Sequence, residues 1–163
     1  MKVLLTTSGT GSRLNSLTKH KNKSLIRVGE MPTLSHIIKM YPKDVEFVVT
    51  LGHLGHLVKQ YIEIAHPTAN VSFVTVDNYD GPGSSLLYSM YCAKEHLDKE
   101  PFIFHACDTI TEITNFSVNE NWLAGYPTTS NTQYRTFNTQ KNGLITKLNE
   151  KGETKSDYDY IGI

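Results

Sequence analysis

The chain has 163 residues, with 16 Lys and Arg against 16 Asp and Glu, so its formal net charge is zero. This length predicts one domain with an ordinary core, and the zero balance argues against a general nucleic-acid binder, which would carry a basic excess. The sequence contains no long apolar run and starts without a signal-peptide pattern, so we expect a cytoplasmic protein with no membrane partner and with Cys92 and Cys107 reduced.

Strands and helices alternate along the first two thirds of the chain. The hydrophobic pattern predicts strands over 2–7, 45–51, 71–76 and 101–106, and helices over 32–41, 54–65 and 84–97. The apolar face predicted for the last helix comprises Leu86, Leu87, Met90, Ala93 and Leu97. Alternation of this kind predicts a parallel sheet with right-handed crossover connections.

The pattern changes after residue 108. Short strands are predicted over 122–125, 133–138 and 144–149, with a hairpin turn at 140–143. The polar stretch 127–132 is a candidate mobile flap. We therefore expect antiparallel strands added to the same sheet, within a single domain over 1–163.

A glycine-rich loop follows the first strand at residues 8–12. Glycines let a ligand approach the backbone, whose N–H groups then bind anionic oxygens. The dinucleotide fingerprint is incomplete, because Leu14 stands at its third glycine, and the ATPase P-loop pattern is absent. Arg13 and Lys23 lie shortly after the loop, and two such cations suit a triphosphate and the charge that develops when it is cleaved.

Several motifs resemble the sugar-phosphate nucleotidyltransferase family. Its signature, G-x-G-[ST]-R-L-x-x-L-T followed by P-K-x-L, is matched by GTGSRLNSLT at 9–18 and KSL at 23–25. Further on, GPGSSL at 81–86 resembles the family's nucleoside loop, and Cys107-Asp108 its Gly-Asp pair. GLITKLNEK at 143–151 resembles its sugar-phosphate segment, and YIGI at 160–163 the strand that follows.

The chain departs from the family pattern at several positions. Asn22 replaces the usual Pro, and Thr6-Thr7-Ser8 replaces small apolar residues. The family's second metal-binding Asp is missing here, or Asp157 or Asp159 substitutes for it. We therefore expect a catalytic core that lacks a C-terminal part of the family.

The resemblance implies an α/β fold with a Rossmann-like, mixed but mostly parallel sheet and flanking helices. It implies Mg²⁺-dependent transfer of a nucleoside monophosphate from a nucleoside triphosphate to a phosphorylated small acceptor, a sugar 1-phosphate or a phosphocholine-like compound. Pyrophosphate is released, and the product serves surface polysaccharide such as capsule. The polar lead-in at 6–8 favours CTP over UTP or dTTP.

The resemblance also implies roles for individual residues. Arg13 would clamp the departing phosphates, Lys23 would bridge the α-phosphate and the acceptor, and Asp108 would hold Mg²⁺. Glu150 and Lys151 would face the acceptor. The nucleotide would be bound by two loops, comprising Thr7, Ser8, Gly9, Thr10, Gly11 and Ser12, and Gly81, Gly83 and Ser84.

Simpler interpretations stay open for these residues. The two glycines of the first loop could form only a tight turn, Arg13 and Lys23 could be solvated cations, and Asp108 could cap a turn. His53 and His56 could ligate a metal, although surface histidines are commoner. A second function is a truncated or degenerate nucleotide-binding module without turnover. A glycosyltransferase is disfavoured because no D-x-D motif occurs at Asp108, and the oligomeric state stays open, a homo-oligomer included.

Overall fold

The computed structural model describes residues 1–97, 100–113, 116–127, 134–152 and 156–163. These residues divide into two compact units, 1–120 and 121–163. Each unit has its own sheet.

The first unit alternates strands and helices along the chain. Two 3₁₀ segments, Ser12–Thr18 and Lys23–Leu25, follow the first strand. Its other elements are β1 (Lys2–Thr6), β2 (Arg27–Val28), β3 (Met31–Pro32), α1 (Thr33–Met40), β4 (Glu46–Leu51), α2 (Gly55–Ala65), β5 (Asn70–Thr75), α3 (Leu86–Cys92), α4 (Lys94–Leu97) and β6 (Phe102–Ala106).

The main sheet has the strand order β5-β4-β1-β6, and all its pairs are parallel. Thr6 at the end of β1 lies in register with Thr50 of β4 and with Ala106 of β6. The central strands are apolar and fully covered, as parallel strands packed on both faces require, and their completely buried side chains include Val3, Leu4, Leu5, Val48 and Val49. The predicted α/β class and its parallel sheet are confirmed.

One helix differs from its prediction. The segment predicted as one helix over 84–97 is two short helices, α3 and α4, which meet at Ala93. Leu86 and Leu87 are 50% and 74% exposed, so their predicted burial is wrong. Ala93 and Leu97 of the predicted face are buried, and Met90 packs partly buried against them, so this part of the prediction is confirmed. Ser89 also points inward, where its hydroxyl hydrogen-bonds that of Ser8.

The second unit forms a separate antiparallel sheet. It contains β7 (Gly125–Pro127), β8 (Thr136–Thr139), β9 (Ile145–Asn149) and β10 (Tyr158–Tyr160), in the order β7-β10-β8-β9. The expectation that these strands extend the main sheet is therefore wrong. The short connection between β8 and β9 favours local antiparallel pairing, and the stacked rings of Phe137 and Tyr158, 5.5 Å apart, join neighbouring strands.

The hairpin predicted at 140–143 is confirmed. Gly143 has a φ of 84°, and its N–H donates to the Gln140 carbonyl over 2.9 Å. The strand predicted over 122–125 begins only at Gly125. Residues 128–132 of the candidate flap and residue 133 of the next predicted strand lie outside the described residues.

None of the helices formed by the described residues has the length and apolarity needed to cross a membrane.

Candidate active site

The predicted nucleotide-binding segments and Asp108 follow strands that end at one edge of the main sheet. The strands β1, β4, β5 and β6 run parallel, so the loops after them leave from the same edge. These loops contain the glycine-rich segment 7–12, the loop 76–85 and Asp108. The carboxyl edge of a parallel sheet is where α/β proteins bind their ligands.

The two glycines of the first loop have different structural requirements. Gly11 has a φ of 66°, and a Cβ atom there would lie 2.9 Å from Thr18 Cγ2 and 3.3 Å from Lys23 Cβ. Both its backbone conformation and its packing therefore require glycine. A Cβ atom at Gly9 would meet nothing within 4 Å. This open space above the backbone is what a closely approaching ligand needs.

The side chains of Thr7 and Ser8 point into the protein. Thr7 is 1% exposed, and its hydroxyl donates to the Thr50 carbonyl over 2.6 Å. Ser8 is equally buried, with its hydroxyl 2.8 Å from that of Ser89 on α3. These side chains are occupied by hydrogen bonds within the fold, so a nucleotide contact at either position would come from the backbone.

Asn22 links three segments that are distant in the sequence. Its side chain is completely buried, and Nδ2 donates to the carbonyls of Thr7, at 2.8 Å, and His53, at 2.6 Å. Its Oδ1 accepts from both the backbone N–H and the hydroxyl of Ser24. All four hydrogen-bonding positions of the amide are thus used. Asn22 has a φ of −64°, which is also the value of proline, so the departure from the family's proline preserves the backbone shape.

Lys23, held directly after Asn22, forms an ion pair with Asp108. Lys23 Nζ contacts Asp108 Oδ2, and the two side chains are 27% and 44% exposed. The pair joins the turn after the glycine-rich loop to the end of β6. Two predicted functional residues, separated by 85 positions, therefore meet at the edge of the sheet.

The glycine-rich loop also carries Thr10 and Ser12, and Arg13 follows it directly. Arg13 and Ser12 are exposed to solvent, and Thr10 is half-buried. Arg13 belongs to the 3₁₀ segment that begins directly after Gly11. Its guanidinium is accessible to an anion bound at the loop.

His53 hydrogen-bonds to the glycine-rich loop and to the 3₁₀ segment that follows it. Its Nε2 donates to the Thr18 carbonyl over 2.9 Å, and its backbone N–H donates to the Ser8 carbonyl over 2.8 Å. His56 is exposed on α2. Within the ranges that the structure describes, no three His, Cys, Asp or Glu side chains come together as a metal site would require.

The loop after β5 is closed by its own hydrogen bonds. Gly81 and Gly83 have φ values of 81° and 85°, and the Ser84 hydroxyl donates to the Gly81 carbonyl over 2.7 Å. The Tyr88 hydroxyl donates to Asp77 Oδ1 over 2.7 Å, which ties the start of the loop to α3. The loop is a preformed turn at the same sheet edge as the glycine-rich segment.

Cys107 is buried beside the ion pair. Burial raises the pKa of its thiol to about 12, although the nearby Lys23 ammonium acts in the opposite direction. The thiol is therefore protonated at neutral pH, a form that is a poor nucleophile.

The two predicted acceptor residues lie in the second unit. Glu150 pairs with Arg135 over 3.2 Å, and both side chains are largely exposed. Lys151 is also exposed. Asp157, one candidate for the second metal ligand, accepts from the Thr139 N–H over 2.8 Å.

Sequence reasoning missed the partners of these residues. The sequence marks Asn22 only as a departure from the resembled family, and it gives no role to Ser89 or Arg135. It predicts His105 as a partly buried strand residue, whereas the structure buries it completely. The one sequence signal among these is at Ser89, a polar residue in an otherwise apolar segment.

Solved structures define the class of fold. The chain is similar over 98% of its length to CTP:phosphocholine cytidylyltransferase from Streptococcus pneumoniae, with a TM-score of 0.76, 19% identity and 67% of that chain covered. A putative glucose-1-phosphate thymidylyltransferase from Bacillus anthracis gives a TM-score of 0.78 and 20% identity over 99% of this chain and 69% of that one. The fold is therefore that of nucleotidyltransferases.

Sequence relatives extend this likeness. The chain is 37% identical to glucose-1-phosphate cytidylyltransferase from Salmonella typhimurium over an alignment of 65 positions, which covers 37% of this chain and 24% of that protein. A probable glucose-1-phosphate cytidylyltransferase from Bacillus subtilis is 35% identical over 63 residues, covering 37% and 25%. The matched segment thus spans about a quarter of these relatives. No family model matches the chain. The relatives and the structures together confirm the resemblance to sugar-phosphate nucleotidyltransferases.

Proposed function

We propose that this chain transfers a nucleoside monophosphate from a nucleoside triphosphate to a phosphorylated small acceptor and releases pyrophosphate. The observation that carries the proposal is the Lys23–Asp108 ion pair at the sheet edge that also presents the open backbone of Gly9. A cation, a carboxylate and a loop that an anion can approach closely are the groups that this transfer requires.

The reaction needs positioning and charge stabilisation. An oxygen of the acceptor phosphate attacks the α-phosphorus, and the bond from that phosphorus to the oxygen bridging to the β-phosphate breaks. The electron pair of that bond leaves with pyrophosphate. The attacking oxygen is already anionic at neutral pH, so no general base is required.

Residues of the first unit supply the stabilising groups. Backbone amides of 9–12 bind the triphosphate, and the exposed Arg13 neutralises charge on the departing β- and γ-phosphates. Lys23 binds the α-phosphate and the incoming acceptor phosphate together, which holds two mutually repelling anions in reach of each other. Gly81, Gly83 and Ser84 form the proposed nucleoside loop.

The residues fit a magnesium ion. Asp108 offers a partly exposed carboxylate at the end of β6, and Mg²⁺ prefers carboxylate and phosphate oxygens while keeping several waters. When bound, the ion would neutralise phosphate charge and orient the triphosphate. Asp108 is the residue proposed to hold it, and Lys23 is then released from its pair to contact phosphate.

The relatives guide the choice of substrates. Cytidylyltransferases occur among both the sequence relatives and the solved structures, which favours CTP, with dTTP or UTP as alternatives. Glucose 1-phosphate and phosphocholine are the acceptor classes that their names give. We propose Glu150 and Lys151 as acceptor-binding residues, and surface polysaccharide synthesis in the cytoplasm as the use of the activated product.

Calorimetry followed by a turnover assay tests the proposal. Binding of CTP, UTP, dTTP, ATP and GTP is measured with and without Mg²⁺, and pyrophosphate release is then followed with glucose 1-phosphate or phosphocholine. We expect Mg²⁺-dependent binding with a preference for CTP, and acceptor-dependent release. Binding without release from any acceptor would replace the enzyme with a nucleotide-binding module, and absence of binding would contradict both functions.

A further inference from the structure

A histidine lies completely buried on the strand that leads to Asp108. His105 is on β6, paired in register with Leu5 of the central strand β1, and is 0% exposed. Polar side chains at such positions require hydrogen-bonding partners, because an unsatisfied group in the core is costly. A leucine or valine would be the ordinary choice for a central parallel strand.

Both ring nitrogens of His105 have partners. Nε2 lies 2.9 Å from the Thr109 carbonyl oxygen, and Nδ1 lies 2.7 Å from the Tyr41 hydroxyl. A carbonyl oxygen only accepts, so Nε2 carries the proton and donates. Nδ1 is then the acceptor for the Tyr41 O–H. The two partners together assign the tautomer of a neutral imidazole.

Burial keeps the imidazole in this neutral form. It lowers the pKa of His105, although the hydrogen bond to the Thr109 carbonyl and the charge of Asp108 act in the opposite direction. The ring is therefore uncharged at neutral pH, as the hydrogen bond from Tyr41 requires.

Tyr41 is itself rigidly held. It follows α1 and is 5% exposed. Its ring stacks on Phe116 with centroids 4.4 Å apart and meets Phe47 and His105 edge-on at 5.8 Å and 5.7 Å. The hydroxyl thus reaches Nδ1 from a fixed direction.

The other end of this chain of hydrogen bonds closes the turn that presents Asp108. The Thr109 N–H donates to the Ala106 carbonyl over 3.2 Å, and the Thr109 carbonyl accepts from His105. Both bonds are made by Thr109, and Asp108 lies inside the turn that they close, between the end of β6 and Thr109. Its backbone is therefore held by the strand before it and by Thr109 after it, while its carboxylate faces Lys23.

We infer that Tyr41 and His105 are positioning residues that orient Asp108 for its role toward the magnesium ion and Lys23. The inference rests on the proposed function. Groups behind a metal ligand commonly set its orientation, and their loss costs about tenfold to hundredfold in metal affinity. Substitution of a residue that serves only core packing would leave the affinity for Mg²⁺ unchanged.

The test compares His105→Leu and Tyr41→Phe with a matched core variant. Ile103→Ala removes buried apolar atoms from the same strand and leaves the turn at 106–109 attached. Calorimetry then gives CTP binding as a function of Mg²⁺ concentration for each folded protein. We expect His105→Leu to raise the Mg²⁺ concentration for half-maximal binding by about tenfold to hundredfold. Tyr41→Phe, which keeps the ring and loses the hydroxyl, shifts it in the same direction by less, and Ile103→Ala does not change it.

A double variant separates orientation of Asp108 from other effects. In the Asp108→Asn background, His105→Leu should cause no further loss of CTP affinity at a fixed, high Mg²⁺ concentration, because the group that it orients is gone. The inference is overturned if His105→Leu changes the Mg²⁺ dependence of CTP binding no more than Ile103→Ala does. It is also overturned if the loss of CTP affinity in His105→Leu adds in full to that in Asp108→Asn. If His105→Leu does not fold, Tyr41→Phe decides by the same criterion.

Nitrogen NMR of the imidazole provides a readout that needs no nucleotide. We expect wild-type His105 to show a protonated Nε2 and an unprotonated Nδ1. Tyr41→Phe should keep this tautomer, shift the Nδ1 signal because the hydroxyl donor is lost, and shift the amide signals of 107–109. An Nδ1-protonated ring in the wild type, or unmoved amide signals, overturns the inference. Failure of the wild type to bind CTP contradicts the proposed function instead, and the NMR result then still decides whether His105 fixes the turn.

Discussion

Lys23 pairs with the carboxylate that we propose as the protein's magnesium ligand, Asp108. Both side chains keep partial contact with solvent, so ligands can reach the pair. An exposed ion pair of this kind contributes little to stability. The pair instead brings a lysine and a carboxylate together at the edge of the sheet where we propose that the triphosphate binds.

Asp108→Asn tests the carboxylate. The amide keeps the size of the side chain but loses the charge that attracts both Mg²⁺ and Lys23. We expect calorimetric CTP binding to lose its dependence on Mg²⁺ while the melting temperature changes little. Asp44→Asn, at an exposed position outside the site, is the matched control and should bind like the wild type. A persistent Mg²⁺ dependence in Asp108→Asn would place the metal elsewhere.

Arg13→Ala tests the proposed clamp on the departing phosphates. The side chain is exposed, so its removal should leave the fold intact. Hydrogen bonds to charged groups contribute about 1.5–3 kcal/mol, so CTP affinity should fall by about tenfold to hundredfold. Affinity for CMP, which lacks the β- and γ-phosphates, should be unchanged. Equal losses for CTP and CMP, or no loss for CTP, would remove Arg13 from this role.

Gly9→Ala and Gly11→Ala form a matched pair in one loop. At Gly11 the new methyl group meets Thr18 and Lys23 in a backbone conformation that disfavours alanine, and we expect a loss of about 1–3 kcal/mol in the free energy of unfolding. At Gly9 the methyl group enters open space, so stability should be unchanged while CTP binding weakens. Urea denaturation and calorimetry measure the two effects. Normal CTP affinity in Gly9→Ala would show that the triphosphate does not approach this backbone.

Asn22→Ala tests the link that holds Lys23 in place. The substitution leaves the carbonyls of Thr7 and His53 without their amide donor, so we expect a loss of about 1–3 kcal/mol in the free energy of unfolding. CTP affinity should fall as well, because Lys23 loses its attachment. Asn119→Ala, at an exposed loop position, is the control and should preserve both quantities. A variant as stable as the wild type would contradict the role assigned to Asn22.

Much of the first unit could be predicted because its strands and helices are encoded locally. The apolar run of β1 and the 3.6-residue periodicity of α2 are visible without knowledge of what packs against them. The glycine-rich loop is also visible in the sequence, and Asp108 directly follows the strand predicted over 101–106, which places it at the carboxyl end of that strand.

What could not be predicted depends on contacts between distant segments. Asn22 bonds to carbonyls 15 positions before and 31 positions after it, and Tyr41 meets His105 across 64 positions. The periodicity of the segment 84–97 predicts its apolar face, but it does not reveal that the first turn stays exposed at Leu86 and Leu87 while Ser89 pairs with Ser8 across 81 positions. The hairpin turn at 140–143 predicts the pairing of β8 with β9, but their separation from the main sheet depends on the pairing of β10 with β7 and β8, which no local pattern encodes.

Transfer of radiolabel from CTP to the acceptor tests the central claim most directly. Parallel reactions contain glucose 1-phosphate or phosphocholine with Mg²⁺ and CTP labelled with ³²P at either the α- or the γ-position. If the chain is a nucleotidyltransferase, the α-label enters a new acceptor compound and the γ-label appears in pyrophosphate, and Lys23→Met abolishes both. Entry of the γ-label into the acceptor, or absence of any acceptor-dependent transfer by a protein that binds CTP, would contradict the account.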